Sequence, residues 1–344
     1  MKKHRNIPIF VPHLGCPNTC VFCNQRKISG HGKSDFSSVE REIEEALATI
    51  PSGTDVQIAF FGGSFTGIDR EDMIYLLATA KRFIDEGRVE SIRLSTRPDY
   101  IDEEILDILA AHGVKSIELG IQSMDDTVLL KSGRGHTASQ TEKACALIKE
   151  RGFELIGQMM TGLPGSDAEK DEYTAKRICE MGAVGARIYP TVVFKDTELH
   201  KMMERGEYES REMRDVITQG ARVLSVFIKN GVNVIRIGLQ SSELLTSGTE
   251  IASPYHEATG EFIWSRCFRD MAETELFGKD TAGKRAFITV PKGAVSKMVG
   301  QKKENEIYLK EKFSLFDIKV LESDELESVS VKIALEERKN RVCD

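Results

Sequence analysis

The segment GCPNTCVFCNQ (15–25) places Cys16, Cys20 and Cys23 within eight residues of a chain that holds seven cysteines. A structural zinc site takes four protein ligands, which three thiolates do not supply. A zinc knuckle would need a distant fourth ligand such as His13 or His31. Disulfide pairing would leave one thiol over. The spacing points instead to chemistry that wants three sulfurs and keeps one position open. Cys145, Cys179, Cys267 and Cys343 are scattered singly, which suits a reducing compartment better than a disulfide framework.

The elements that must position this loop follow a regular beat. An apolar run, NIPIFVPHL (6–14), precedes it, and SSVEREIEEALATI (37–50) reads as a helix opening on a serine cap with Glu at capping-box spacing. Further strands are predicted at VQIAFFGG (56–63), SIRLSTRP (91–98), SIELGIQS (116–123), ELIGQMMTGLPG (154–165), ARIYPTVVF (186–194) and VNVIRIGLQ (232–240), with amphipathic helices between them. Six or seven βα units of this length require a parallel sheet, since each crossover is right-handed and covered by a helix. That many repeats suit a barrel better than a flat sheet. The expected fold class is α/β, a partial (β/α)6 TIM-type barrel with a small α+β C-terminal extension. Chemistry in such barrels sits at the C-terminal ends of the strands, and the cysteine loop lies directly after the first. Beyond about residue 245 the beat is lost, and 285–322 reads as strand, helix, strand. The expected domains are a barrel core at 1–245 and an extension with a small basic unit at 246–344.

A Cys-x3-Cys-x2-Cys loop after the first strand of a β/α barrel resembles the hallmark of radical S-adenosylmethionine (SAM) enzymes. The resemblance implies that Cys16, Cys20 and Cys23 hold a 4Fe-4S cluster. Such clusters normally take four thiolates, so three leave one iron open, and in the family that iron chelates SAM. Reductive cleavage of SAM then gives methionine and a 5′-deoxyadenosyl radical that abstracts hydrogen. Phe22 matches an aromatic position near the adenine. FFGGSF (60–65) resembles the family's Gly-Gly-Glu element, with Ser64 in place of Glu, so Gly62, Gly63 and Ser64 would meet the methionine moiety mostly through main chain. STRPDY (95–100) and ELGIQSMDD (118–126) offer Arg97, Glu118, Gln122 and Ser123 to the SAM carboxylate or ribose. MMTGLPG (159–165) and RIYPTVV (187–193), the latter with Tyr189, occupy strand ends where the family lays backbone against the adenine. Met159 and Met160 read as core filler.

LLKSGRGHT (129–137) narrows the resemblance. With ELG-x-QS, GLPG and IYPTVVFKDTEL (188–199), it is similar to the radical-SAM catalytic subunit of the Elongator tRNA-modification complex, over roughly residues 5 to 270. This implies a tRNA partner, an electron donor such as a flavodoxin or ferredoxin, and substrate roles for Arg134, His136 and Lys195. The Elongator subunit ends in an acetyltransferase domain, for which no room is expected after residue 270, and an extended basic N-terminal region is missing. Related segments occur in the oxygen-independent coproporphyrinogen oxidase group, so a small-molecule oxidoreductase stays open. A non-enzymatic, metal-containing RNA-binding module is the third reading.

A net charge of −7 argues against nucleic-acid binding over the whole surface but not against a local basic patch. The tail at 286–313 is such a patch, with Lys297, Lys302 and Lys303 as candidate RNA contacts. VPKGAVSKMVGQKKENEI is faintly similar to a KH module, whose GxxG loop clamps a nucleic-acid backbone; here Gly300 is followed by Gln301, Lys302 and Lys303 without the second glycine. A solvated lysine face explains the same residues. No stretch approaches the roughly 18 apolar residues of a spanning helix, and the N-terminus is a poor signal peptide. A cytoplasmic enzyme without membrane contact is expected.

Overall fold

The computed structural model describes residues 4–11, 16, 20–23, 36–239, 250–326 and 329–338. Seven parallel strands form one sheet in chain order: β1 (His4–Val11), β2 (Asp55–Gly62), β3 (Ser91–Thr96), β4 (Val114–Gln122), β5 (Glu154–Thr161), β6 (Gly185–Pro190) and β7 (Asn233–Ile237). The chain returns through α1 (Val39–Thr49), α2 (Arg70–Asp85), α3 (Glu103–Ala111), α5 (Ala138–Glu150), α6 (Ala168–Glu180) and α8 (Met213–Lys229). Two short helices, α4 (Asp126–Lys131) and α7 (Glu198–Glu204), lengthen the connections after β4 and β6. The expected six-unit partial barrel is present, and VNVIRIGLQ adds a seventh strand. β1 and β7 are the edges, so the barrel stays open.

Alternation along the strands separates two faces. Ile7, Ile9, Ile58, Phe60, Ile92, Leu94, Ile117 and Leu119 enter the apolar layer beneath the helices. Their neighbours Gln57, Arg93, Ser95 and Glu118 fall on the opposite, inner face. A parallel strand buried on both sides normally reads as continuous Val, Ile and Leu. A polar inner face therefore marks a cavity lining rather than packed core.

The loops at the C-terminal strand ends are pinned by their own aspartates. Asp69, Asp102, Asp125 and Asp167 each accept a first-turn backbone N–H, of α2, α3, α4 and α6 in turn, at about 1 kcal/mol apiece. The serine cap expected on α1 does not form. Ser38 already has helical dihedrals (φ −83°, ψ −14°), which turns its hydroxyl away from the first-turn amides. It donates instead to the Glu42 carboxylate at 2.6 Å.

Beyond the barrel, α9 (Thr259–Leu276) packs on α8 and β7 and contributes Phe268, Ala272 and Leu276 to a second core. That core belongs to a three-stranded sheet of β8 (Arg285–Pro291), β9 (Asp317–Ser323) and β10 (Lys332–Glu336), in the order β10-β8-β9. β8 and β9 are parallel, β10 antiparallel to β8. Between β8 and β9 run α10 (Val295–Val299) and α11 (Glu304–Lys312). The expected strand, helix, strand is thus strand, two helices, strand, with a third strand beyond. The expected boundary at 245/246 lies outside the described residues. No helix among the described residues is long and apolar enough to cross a membrane.

Candidate active site

The ends of β1 and β2 are tied together where the cysteine loop begins. The Gly63 N–H donates to the Val11 carbonyl at 2.9 Å. Gly62 has φ +119°, and a Cβ there would stand 2.3 Å from the Val11 oxygen and 2.8 Å from the Phe10 ring. Its lack of a side chain serves the β1 pairing first. Just beyond lie Cys20, buried, and Cys16 and Cys23, half-buried. Cys23 turns back through its N–H to the Cys20 carbonyl at 3.0 Å. Between them Val21 is held from two sides, donating to Ser132 O at 3.1 Å and accepting from Leu199 N–H at 2.8 Å. The last turn of the loop is therefore wedged between the α4–α5 connection and α7.

The α4–α5 connection carries Arg134 and His136. Gly133 and Gly135 flank Arg134 with φ of +63° and +75°, a backbone that turns the arginine inward at low cost. Its Nη2 donates to Gly120 O at 2.6 Å and its Nη1 lies 3.4 Å from Cys20 Sγ. Arg97, at the end of β3, forks onto the Asp99 carboxylate at 2.9 Å through Nε and Nη2, and Nη2 also donates to Arg134 O. Arg97 Nη1 and Arg134 Nε are buried without an acceptor. Burial pushes the Cys16 thiol up, while Arg97, the Ser64 backbone N–H and Arg134 pull it back down. His136 is buried, and burial pulls its imidazole down to about 4, which leaves it neutral at pH 7. Of the two residues expected at the substrate, Arg134 thus packs against the cysteine loop, and the His136 ring lies 3.9 Å from the Asp99 carboxylate.

Cys16 and Cys20 faced by two guanidiniums with unused donors, with Cys23 on the adjoining turn, form a suitable setting for an anionic iron–sulfur cluster. The fit rests on this donor chemistry; among the described residues no three His, Cys, Asp or Glu side chains converge at ion-binding distance as placed.

The other expected site residues divide. Gln122 takes φ +65° at the end of β4 and exchanges two 2.8 Å hydrogen bonds with Gln158. Ser64 is buried with its hydroxyl unpartnered. Phe22 and Tyr189 are half-buried. Ser123 faces the helical layer, accepting from Asp125 N–H at 3.1 Å beside Thr174. The Glu118 carboxylate is engaged by Arg93 at 2.8 Å and Arg187 at 2.9 Å. Lys195 is exposed; its backbone N–H donates to Glu250 O at 2.8 Å. Lys297 Nζ lies 4.6 Å over the Trp264 ring, and Lys302 and Lys303 are exposed on the α10–α11 turn. Sequence reading missed Arg93, Gln158 and Arg187. Their signal was polarity at alternate positions of otherwise apolar strands.

The GLPG loop after β5 hangs on one buried carboxylate. Asp171 accepts from Gly162 N–H at 3.0 Å, from Ser166 Oγ and from Gln219 Nε2, and burial pushes its carboxyl up to about 6. The native state therefore takes up a proton between about pH 4 and 6 that the unfolded chain does not. Its stabilising contribution is complete below pH 4 and is lost as pH rises through 6. We expect wild type to lose about 3 kcal/mol over that range relative to Asp171→Asn. Urea unfolding of both proteins at pH 4 and pH 7 measures the difference. Parallel pH profiles would contradict it.

Residues 10–178 match the radical SAM superfamily and residues 183–269 the radical SAM C-terminal domain. The chain belongs to the radical SAM superfamily. It is 31% identical over 197 residues to the tRNA uridine(34) acetyltransferase of Methanocaldococcus jannaschii, covering 54% of this chain and 35% of that one. It is 30% identical over 266 residues to Elongator complex protein 3 of Saccharomyces cerevisiae, covering 65% and 47%. This radical SAM chain spans about a third to a half of the length of those two relatives. Its fold resembles that of an N-terminally truncated archaeal Elp3 from Methanocaldococcus infernus, with TM-score 0.63, 21% identity, and coverage of 78% of this chain and 64% of that one. The family's cofactors are a 4Fe-4S cluster and SAM.

Proposed function

We propose that this chain is a radical SAM enzyme that modifies tRNA. The observation that carries the chemistry is the pair of buried guanidiniums, Arg97 and Arg134, on a three-cysteine turn at the C-terminal ends of a parallel half-barrel. Cys16, Cys20 and Cys23 hold the cluster, with an electron from a flavodoxin or ferredoxin. When bound, cluster and SAM supply a 5′-deoxyadenosyl radical for hydrogen abstraction. Main chain at Gly63 and Ser64 meets the methionine moiety. The unused donors of Arg97 and Arg134 take its carboxylate. Gln122, locked by Gln158, orients the ribose, and Phe22 and Tyr189 flank the adenine. Glu118 and Ser123, each already engaged by protein groups, support the site from behind. His136, neutral and buried, packs beside Asp99, the partner of Arg97, without adding charge. Lys195 is left at the rim for substrate.

The tRNA assignment is supported by the names of the relatives and by the tail. In the α10–α11 turn Gly300 (φ +76°) is followed by Lys302 (φ +48°) and Lys303 (φ +64°). Asn305, buried, pins this turn to α9 through Nδ2 donation to Ser265 O at 3.0 Å and to Met298 O at 3.1 Å. Left-handed backbone costs an L-residue about 1–2 kcal/mol, so two lysines are held there against their own preference. Neighbouring Lys292, Lys310 and Lys312 have carboxylate partners. Among the described residues Lys297, Lys302 and Lys303 form no ion pair. Unpaired ammonium groups carried on a fixed backbone turn suit a phosphate backbone.

Two opposite effects are expected when both Lys302→Gly and Lys303→Gly are introduced. Stability rises by about 1 kcal/mol or more as strain is relieved, while tRNA affinity falls and its logarithmic salt slope shrinks by about 1–2. An unchanged slope in titrations at several salt concentrations would remove the tail from the RNA reading. The reaction itself is tested by anaerobic reconstitution with SAM, a reductant and total tRNA from a strain lacking the gene. Formation of 5′-deoxyadenosine together with a new modified nucleoside is expected. SAM cleavage that no tRNA stimulates or couples to a product would overturn the tRNA assignment.

A further inference from the structure

We propose that the inner face of the half-barrel binds an oxyanion of the substrate, a phosphate or a carboxylate, between Arg93 and Arg187. Both guanidiniums lie against one carboxylate oxygen, Glu118 Oε2. Arg93 and Glu118 are each 6% exposed and the Arg187 side chain 14%, so one buried and one largely covered cation share a single anion. Arg187 is fixed further by its Nη1 donation to the Tyr189 hydroxyl at 3.1 Å and by the Phe61 ring, 5.3 Å from its guanidinium carbon. Arg236 on β7 is the register partner of Arg187 on β6 and adds a third positive charge, with no ion pair among the described residues.

Buried charge without a partner costs several kcal/mol, and buried N–H groups are rarely left without an acceptor. Here Arg93 Nε and Arg187 Nε are both buried with no acceptor among the described residues. Arg187 Nε stands at ion-pair distance from Glu118, yet its N–H does not point along that contact. Tyr189, having accepted from Arg187, still has its own proton to donate. Arg97 is balanced by Asp99, and Arg134 faces Cys20. Neither end of the site supplies the missing anion. Planar guanidinium donors with a nearby hydroxyl select phosphate or carboxylate geometry over a simple halide.

The inference rests on the reading that the inner face of a radical SAM half-barrel is where the substrate sits. Its test is equilibrium binding to the reconstituted protein at fixed ionic strength, with uridine 5′-monophosphate against uridine for the phosphate and malonate against chloride for the carboxylate. Wild type should prefer at least one anionic probe tenfold or more over its control, and the probe preferred identifies the source. Arg187→Gln leaves Arg93 and Glu118 as a neutral pair, which preserves the fold, and should lower that affinity about tenfold. Glu118→Gln removes the competing carboxylate and should raise it. Arg236→Gln, which disturbs no buried pair, should lower it in the same sense as Arg187→Gln. Equal affinities in wild type, Arg187→Gln and Arg236→Gln, or no preference for either anion in wild type, would overturn the inference. 5′-Deoxyadenosine formation by wild type is scored separately. Its presence without anion binding sinks only this inference, and its absence sinks the reading beneath it.

Discussion

Cys16→Ala, Cys20→Ala and Cys23→Ala are each expected to abolish iron loading and 5′-deoxyadenosine formation, with the barrel still folded. The three thiols lie within eight residues of sequence, Arg134 Nη1 stands 3.4 Å from Cys20 Sγ, and Arg97 and Arg134 offset part of the burial that raises the Cys16 thiol. Cys145 and Cys267 provide the contrast. Burial pushes both thiols up to about 12, with no arginine among the described residues offsetting it, and each lies in the apolar layer. Cys145→Ala and Cys267→Ala should therefore keep full iron content. Iron and sulfide stoichiometry after reconstitution, with circular dichroism to confirm folding, decides the matter. A scattered cysteine that proved essential for loading would refute the three-ligand assignment.

Gly62→Ala should be the most damaging single-methyl change in the molecule. Its φ of +119° is a glycine conformation, and the added Cβ would meet the Val11 backbone oxygen at 2.3 Å. Backbone atoms at a strand end do not step aside as a flexible side chain can. Strain and clash together predict a loss of about 3 kcal/mol or more. Because Val11 leads directly into the cysteine loop, iron loading should fall with stability. Gly63→Val is the comparison, expected to keep the cluster and weaken SAM binding. A Gly62→Ala protein with wild-type urea midpoint and full iron content would show that β1 is not held as described.

What the sequence revealed, and what it hid, follows from how local each signal is. The cysteine spacing and the paired glycines are written within a few residues, and each strand announced itself by an apolar run, whereas the one cap read from sequence, the serine of α1, does not form and the aspartate caps went unread. Arg134 and His136 were visible as a motif, but their partners were not. The contact between Arg134 and Cys20 spans 114 positions, and nothing local says that an arginine between two glycines will turn inward. Glu118 looked like a cofactor ligand because it sits in a motif. Its commitment to Arg93 and Arg187 depends on the lateral register of β3, β4 and β6. The left-handed lysines were hidden for a related reason, since a missing glycine suggests a missing turn. Here the packing of Asn305 against α9 holds the turn without it.

Every strand of the large sheet pairs only with its neighbours in the chain, and this sets an order of assembly during synthesis. Each new strand can add to the edge left by the one before, with short loops to close and no earlier strand to displace. The cysteine loop leaves the ribosome before Arg134 and the Leu199 amide that hold its last turn. A nascent chain thus carries its three thiols without their cationic backing until Arg97 and Arg134 have followed. A ribosome-bound fragment ending before α7 lacks the Leu199 contact to Val21 and is accordingly expected to release iron more readily than the finished chain.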